Sequence, residues 1–310
     1  MKGTIFGGAG FIGSSIVSLL DDIEWVAVDD LSLGTFTNIR NPSAKKVRGD
    51  ISDPKSVDSI LKDSPDYVMM MNGLSSNPHY YPDPRRGYQT MLMGALNVFD
   101  ACRRYDIKKV IYAATSSVYG NTNVNDQREN INISPPNFYS CAKRGVEDAA
   151  RIYAEEYGIY SVGFRYFSVY GYPERHKGIY ANIVTQFIWD MIKSKKPVIY
   201  GNGNQTRDFI FINDIVEANR LAVMKRLRGA YIMNVGTGVN HSFNDVIALI
   251  NKHLGTMIKP EYTPNQIHNY IFDTLADTKK AEELLGFKAK TPLDEGIKKT
   301  LAFYKQGGLT

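Results

Sequence analysis

A short apolar run at residues 4–6 leads straight into Gly7-Gly8-Ala9-Gly10-Phe11-Ile12-Gly13, and a helical pattern over 12–20 begins inside that motif. Few chain paths satisfy this order. Gly7 permits a tight turn, Gly10 lets backbone amides approach an anion, and Gly13 lets a helix pack hard against a strand. The helix N-terminus then turns its free N–H groups toward a pyrophosphate. The next strand pattern, 25–29, ends in Asp29, with Asp30 behind it. A carboxylate there accepts hydrogen bonds from two ribose hydroxyls and repels a 2′-phosphate. The sequence therefore predicts a dinucleotide site of Gly7, Gly10, Phe11, Ile12, Gly13, Asp29 and Asp30, with NAD preferred over NADP. A second acidic strand end, Gly49-Asp50-Ile51, reads equally as an adenine contact by Asp50 and Ile51 or as a helix cap near Pro54.

The motif sits in a chain whose strand and helix patterns alternate. Strand patterns fall at 4–6, 25–29, 46–49, 67–71, 110–114 and 162–167; helical ones at 12–20, 55–61, 86–104 and 143–157. Such alternation requires right-handed crossovers and a parallel sheet covered on both faces. The predicted class is α/β, a doubly wound, Rossmann-like parallel sheet with a smaller, mainly helical lobe. After residue 171 the texture changes. A polar stretch at 172–178 precedes a helix at 183–193 and a loop at 200–208. A strand and helix over 209–223 and a strand at 231–235 are expected to rejoin the sheet, and the tail from 242 to 308 is mainly helical. The expected division is a dinucleotide-binding domain of 1–171 and 209–236, and a second lobe of 172–208 and 237–310, with a cleft between them.

Two further motifs carry chemistry. In Tyr139-Ser140-Cys141-Ala142-Lys143 the tyrosine and lysine are four apart, on one face of a helix. An ammonium beside a phenol favours phenolate and draws the phenol down from its ordinary value of about 10, which would make Tyr139 a base near neutral pH. The strand pattern at 110–114 ends in three hydroxyls, Thr115, Ser116 and Ser117, and then Val118-Tyr119-Gly120. One hydroxyl can cap a strand; three in a row suggest a ligand held by its oxygens.

Read together in order, "GGAGFIG", "VDDLSLG" (28–34), "TSSVYG" (115–120), "YSCAK", "RYFSVYG" (165–171) and "TRDFIFINDI" (206–215) resemble the extended short-chain dehydrogenase/reductase family. Within it the match is to NAD-dependent nucleotide-sugar epimerases, above all the UDP-glucose 4-epimerases; the alternative is another nucleotide-sugar enzyme of the family, a UDP-glucuronate or UDP-N-acetylhexosamine 4-epimerase, a dehydratase or a ketosugar reductase. The resemblance implies that Tyr139 takes the proton of a sugar 4-hydroxyl, that Lys143 supports it, and that Thr115 bonds the reacting oxygen. It implies that NAD stays bound through each cycle, lying along Asn72, Gly73, Leu74 and Ser75, with Tyr166 and Phe167 near the nicotinamide. Ser116, Ser117, Ser168, Asn182, Tyr200 and Arg207 are implied to meet a nucleotide-sugar substrate, a UDP-hexose. The implied assembly is a homodimer through helices 86–104 and 143–157.

Departures bear on substrate more than on reaction type. Related dehydratases and decarboxylases place an acid, usually Glu, where this chain has Ser117, so elimination loses its usual helper. Ser168 stands for an asparagine, and Met91 for another on the cofactor side. The second phosphate-binding arginine expected within 265–273 is replaced by His268, and Thr274 is the residue expected to limit the pocket near the sugar 2-position.

Composition narrows the remaining classes. The chain has 310 residues, 43% hydrophobic and 22% charged, the profile of a folded globular chain. A net charge of +5 without basic runs predicts no nucleic-acid partner. Two cysteines give neither a disulfide framework nor metal-ligand spacing and read as reduced, which predicts a cytoplasmic protein without a metal. No targeting segment and no run near 18 apolar residues is seen, so neither secretion nor a membrane span is expected.

Overall fold

The computed structural model describes residues 1–123, 125, 127–265 and 270–307. Strand β1 (Lys2–Phe6) passes through the glycine motif into α1 (Phe11–Leu19), followed by β2 (Glu24–Asp29), β3 (Lys45–Arg48) and α2 (Pro54–Leu61). Next come β4 (Tyr67–Met70), α3 (Pro84–Tyr88), α4 (Gly94–Arg104), β5 (Lys109–Thr115), α5 (Phe138–Tyr157) and β6 (Tyr160–Tyr166). The remainder runs β7 (Ser168–Tyr170), α6 (Ile183–Ile192), β8 (Val198–Tyr200), β9 (Thr206–Arg207), β10 (Phe209–Phe211), α7 (Ile212–Met224), β11 (Ala230–Val235), β12 (His241–Ser242), α8 (Phe243–Leu254), β13 (Glu261–Thr263), α9 (Lys279–Leu285) and α10 (Leu293–Lys305).

The central sheet has seven parallel strands in the order β11-β6-β5-β4-β1-β2-β3. Strand order reverses between β1 and β4, and an open parallel sheet leaves a crevice beyond the strand ends at such a point. Alternating side chains feed two cores. Phe6, Val28, Val68 and Val110 face α2, α4 and α5 through Val57, Phe99 and Val146. Ile5, Ala27, Met69 and Ile111 face α1 and α7 through Ile16, Ile215 and Ala218. The second core continues without a break into the later helices, through Phe187, Phe243, Ile297 and Tyr304. A period-2 alternation with both faces buried is what a doubly wound sheet requires.

Three expectations need correction. The helix read over 86–104 is interrupted: a π-helical stretch, Gln89–Met93, separates α3 from α4. Thr90 explains the break. Its hydroxyl donates to the Arg86 carbonyl at 2.9 Å, and its own carbonyl accepts from Asn72 Nδ2 at 3.1 Å, so both compete with the helical ladder. The strand at residues 209–211 does not rejoin the main sheet; it pairs with β7, Phe209 opposite Ser168. Strand β11 does rejoin, beside β6. The segment read as a loop over 200–208 contains β9 and the end of β8, which pair with β12 and β13.

Backbone geometry around the glycine motif is tight. Gly7 has φ +76°, and a Cβ there would fall 2.5 Å from the backbone of Met71 and Asn72, beyond β4. A Cβ on Gly13 would fall 2.1 Å from the Gly7 carbonyl oxygen. Backbone cannot yield as a flexible side chain does, so Gly13→Ala is expected to cost ~1–3 kcal/mol and to loosen the dinucleotide turn. Thermal melting checks this: the variant should melt several degrees below the parent, and an unchanged melt would contradict it.

Candidate active site

The crevice between β1 and β4 is lined by Gly7, Gly10, Asp29, Asp30, Asp50, Ile51, Asn72, Gly73 and Leu74. Gly10 caps α1 without a side chain and the first turn holds no acid, so its amides stay open to an anion. Asp29 ends β2 with one oxygen taking Ala9 N at 3.0 Å and the other Leu31 N at 2.9 Å. Burial pushes its carboxyl up, the Leu31 and Ala9 amides draw it down, and neighbouring Asp30 adds a smaller upward push. Asp50 does not cap α2; Asp53 does, accepting from Lys55 N and Ser56 N. Asp50 instead turns its own loop by accepting from the amide and hydroxyl of Ser52. Asn97 donates to the carbonyls of Ile51 and Ser52 and so fixes this end of the crevice. Open amides, a half-committed carboxylate and a cradle that a Cβ would fill fit a dinucleotide.

A second cavity adjoins the first and shares Met71, Asn72, Gly73 and Leu74 with it. Thr115, Ser116, Ser117, Tyr139, Lys143, Tyr166, Phe167, Ser168 and Asn182 line it, with Phe11, Ile12, Ser75, Lys177 and Tyr180. Its floor is the end of β5. There Thr115 Oγ1 accepts from Ser117 N at 3.1 Å and caps the 3₁₀ turn Ser116–Tyr119, while the Thr115 hydroxyl also bonds Tyr139. One of the three hydroxyls thus shapes the turn and meets the phenol, and the other two are left facing the cavity. The tyrosine of the Tyr-Gly corner turns inward: Tyr119 is 2% exposed and its hydroxyl joins Arg165 and Asn234.

Tyr139 and Lys143 stand on the first turns of α5, whose start is fixed by a capping box between Asn137 and Ser140. Lys143 is 4% exposed, and its Nζ donates to the Ala113 carbonyl of β5 at 2.5 Å. Burial pulls this ammonium down to about 7, with Glu147 opposing. The lowered phenol expected from the lysine is not found. Burial pushes Tyr139 up, and the Thr115 hydrogen bond only partly offsets it. The physical reason is that desolvation disfavours phenolate and ammonium alike, and the ammonium is committed to a backbone carbonyl.

At the aromatic wall, Tyr166 ends β6 and its hydroxyl accepts from Asn219 Nδ2 at 2.8 Å. Phe167 packs with Val118, Tyr119 and Ala276. Asn182 caps α6, its Oδ1 accepting from Val184 N at 3.0 Å, and its backbone N–H donates to buried Glu174. Glu174 also receives Lys177 Nζ at 2.7 Å and the Thr185 hydroxyl, so it ties two cavity-lining residues to one carboxylate.

Tyr200 and Arg207 do not line this cavity. Tyr200 is exposed at the end of β8. Arg207 Nη1 donates to the carbonyls of Thr206 and Phe272 at 2.8 and 2.7 Å, Nη2 to Ile271, and the guanidinium lies over the rings of Phe243 and Tyr270. Burial pulls Arg207 down, with Tyr270 opposing. It makes no pair with Asp208, whose oxygens take donors from Thr237, Gly238 and Ala276. His268 lies outside the described residues. Met91 is buried against Gly73, where a Cβ would meet its terminal methyl at 2.1 Å. The sequence reading passed over Lys177, Glu174, Glu147 and Arg165. The signal available was Glu147, four residues beyond Lys143 on the same helix.

Residues 4–236 match the model of the NAD dependent epimerase/dehydratase family. A protein of Methanocaldococcus jannaschii is 32% identical over 309 residues, 99% of each chain. A UDP-N-acetylglucosamine 4-epimerase from Methanobrevibacter ruminantium, solved in complex with UDP-N-acetylmuramic acid, superposes with TM-score 0.92 at 30% identity, covering 98% of both chains. A Thermus thermophilus UDP-glucose 4-epimerase in complex with NAD superposes with TM-score 0.88 at 26% identity, covering 99% of this chain and 100% of that one. The chain belongs to the NAD-dependent epimerase/dehydratase family, and its cofactor is NAD.

Proposed function

We propose that this chain is a nucleotide-sugar 4-epimerase acting on UDP-hexoses, with UDP-glucose and UDP-galactose as its substrate pair. One observation carries the choice within the family: among the described residues, the cavity holding Tyr139, Lys143 and Thr115 is lined by no carboxylate. Eliminating water or losing CO2 calls for a further acid or base; inverting a carbinol needs one proton acceptor and a cofactor. Two superposed relatives are 4-epimerases of UDP-sugars.

Gly7, Gly10, Phe11, Ile12 and Gly13 would hold the NAD pyrophosphate, Asp29 and Asp30 a ribose, Asp50 and Ile51 the adenine. Asn72, Gly73, Leu74 and Ser75 would flank it, with Tyr166 and Phe167 at the nicotinamide. Bound NAD supplies a hydride acceptor that can give the hydride back. Tyr139 Oη takes the proton of the sugar 4-hydroxyl and later returns it. Thr115 holds that phenol and the sugar oxygen, and Lys143 provides the positive charge that phenolate needs. Ser116, Ser117 and Ser168 hold sugar hydroxyls. Tyr166 and Phe167 exclude water. Residues 172–208 and 237–310 form the lobe that grips the nucleotide, through Asn182, Tyr200 and Arg207, while the sugar turns. Arg207 would exchange backbone carbonyls for diphosphate oxygens, a geometry guanidinium suits. His268 is proposed to take the place of a second phosphate-binding cation.

A cytoplasmic homodimer completes the reading. Cys102 and Cys141 are free thiols, and no described helix is long and apolar enough to cross a membrane. Exposed Met93, Phe138, Ile152 and Tyr157 leave apolar surface around α4 and α5. Tyr153 is spent inside the chain, stacked on Phe99 and bonded to Asp100.

A panel of UDP-, dTDP-, GDP- and CDP-sugars followed by NMR of the sugar ring tests the activity. UDP-glucose and UDP-galactose should interconvert without added cofactor and without net absorbance change at ~340 nm. No epimer from any UDP-hexose or UDP-hexuronate would sink the proposal. Tyr139→Phe should lower kcat by about 10²–10⁴-fold. Light scattering should give twice 34.8 kDa, and a monomer at micromolar concentration would contradict the dimer.

A further inference from the structure

Tyr139, Lys143 and Glu147 follow one another at four-residue intervals on α5, so the three share one helix face. Glu147 is 5% exposed, and Arg165 of β6 occupies both its oxygens, Nε to Oε1 at 2.9 Å and Nη2 to Oε2 at 2.7 Å. Arg165 is 2% exposed. Its remaining nitrogen, Nη1, donates to the Tyr119 hydroxyl at 3.0 Å, which donates to Asn234 Oδ1 at 2.7 Å. Burying such a pair gives little net stability, because desolvation consumes most of the Coulomb gain. Its place, one turn below a buried ammonium, calls for another reason.

We infer that Glu147, clamped by Arg165, is a positioning residue that keeps the Lys143 ammonium charged and seated beside Tyr139; this rests on the catalytic pairing proposed above. Lys143 has a neutral partner, the Ala113 carbonyl, which orients the amine without favouring its charged form over water. The groups around it can be named by element. In the cavity that Lys143 lines, α5 brings Tyr139, β6 brings Tyr166 and the segment after β7 brings Lys177; behind it Glu147 of α5 meets Arg165 of β6 and Arg144 of its own helix. Asp148 is exposed and taken by Arg144, whose Nε also lies 4.0 Å from Glu147 Oε2, and Lys177 is taken by Glu174. Glu147 is therefore the buried anion on the lysine's own helix face. A carboxylate one turn away on the same buried helix face favours the charged form of an amine, and removing it shifts the balance to the neutral one. Arg165 holds the carboxylate in one rotamer, and Tyr119 and Asn234 hold Arg165.

The test is NMR titration of Lys143 in the full chain carrying labelled lysine, beside the pH profile of kcat. The parent lysine should titrate near 7. A lysine is charged below its midpoint, so the activity that needs the ammonium falls as pH rises through it. In Glu147→Gln the midpoint should drop by about one to three pH units, the falling limb of kcat should follow, and KM should change little. Glu147→Asp should restore most of the parent profile. Because Glu147→Gln strands a buried guanidinium, which itself disfavours a charged amine, Glu147→Gln/Arg165→Met is titrated beside Arg165→Met alone; both lack the guanidinium, so the Lys143 midpoint of the pair should lie below that of Arg165→Met. Equal midpoints in those two folded variants overturn the inference. Tyr139→Phe separates the two layers. If it keeps full activity, the catalytic pairing fails; if it is inactive while the Lys143 midpoint ignores Glu147, only the role of Glu147 fails.

Discussion

A lysine amine sealed beneath a half-buried phenol is the constraint around which this region is built. Burial alone would strip the amine of its proton and keep the phenol protonated, the opposite of what base chemistry at Tyr139 needs. The surroundings answer with fixed polar groups. The Ala113 carbonyl receives Nζ, Thr115 bonds the phenol, and the α5 capping box sets both residues on the first turns of a helix. None of these groups is on a mobile surface side chain, so little reorganisation is required when charge develops.

The sheet explains why this pair stands beside the glycine-motif crevice at all. Strands β1 and β4 are neighbours whose connections leave in opposite directions, and the glycine turn closes down on the chain beyond β4. That places the open amides of α1 on one side of Met71–Leu74 and the end of β5 on the other. The two cavities share those residues, so a molecule lying in the crevice reaches the cavity of Tyr139 without any rearrangement of the core.

Much of this was legible in the sequence because it depends on local rules. Glycine spacing, alternating strand and helix patterns, and a four-residue Tyr–Lys interval are each written within a few residues, and β1 to β6 and β11 lie where the patterns placed them. What was not legible depends on partners far apart in the chain. The π-helical stretch before α4 answers to Asn72, and β10 pairs with β7 because the chain crosses out of the sheet after Tyr166. The hold on Arg207 is of the same kind, since carbonyls 64 and 65 residues away in sequence accept from its guanidinium. The phenol's upward shift is also non-local, since helix spacing shows that two groups share a face but not how dry that face is.

The proposal that one proton acceptor and one returning hydride invert a single carbon is tested most directly by isotope. UDP-glucose carrying deuterium at C4 is converted in ordinary water and the product is read by NMR and mass spectrometry. The account predicts UDP-galactose that keeps its deuterium at C4, with none lost to solvent. Deuterium released to water, or moved to C6 with loss of a hydroxyl, would contradict it.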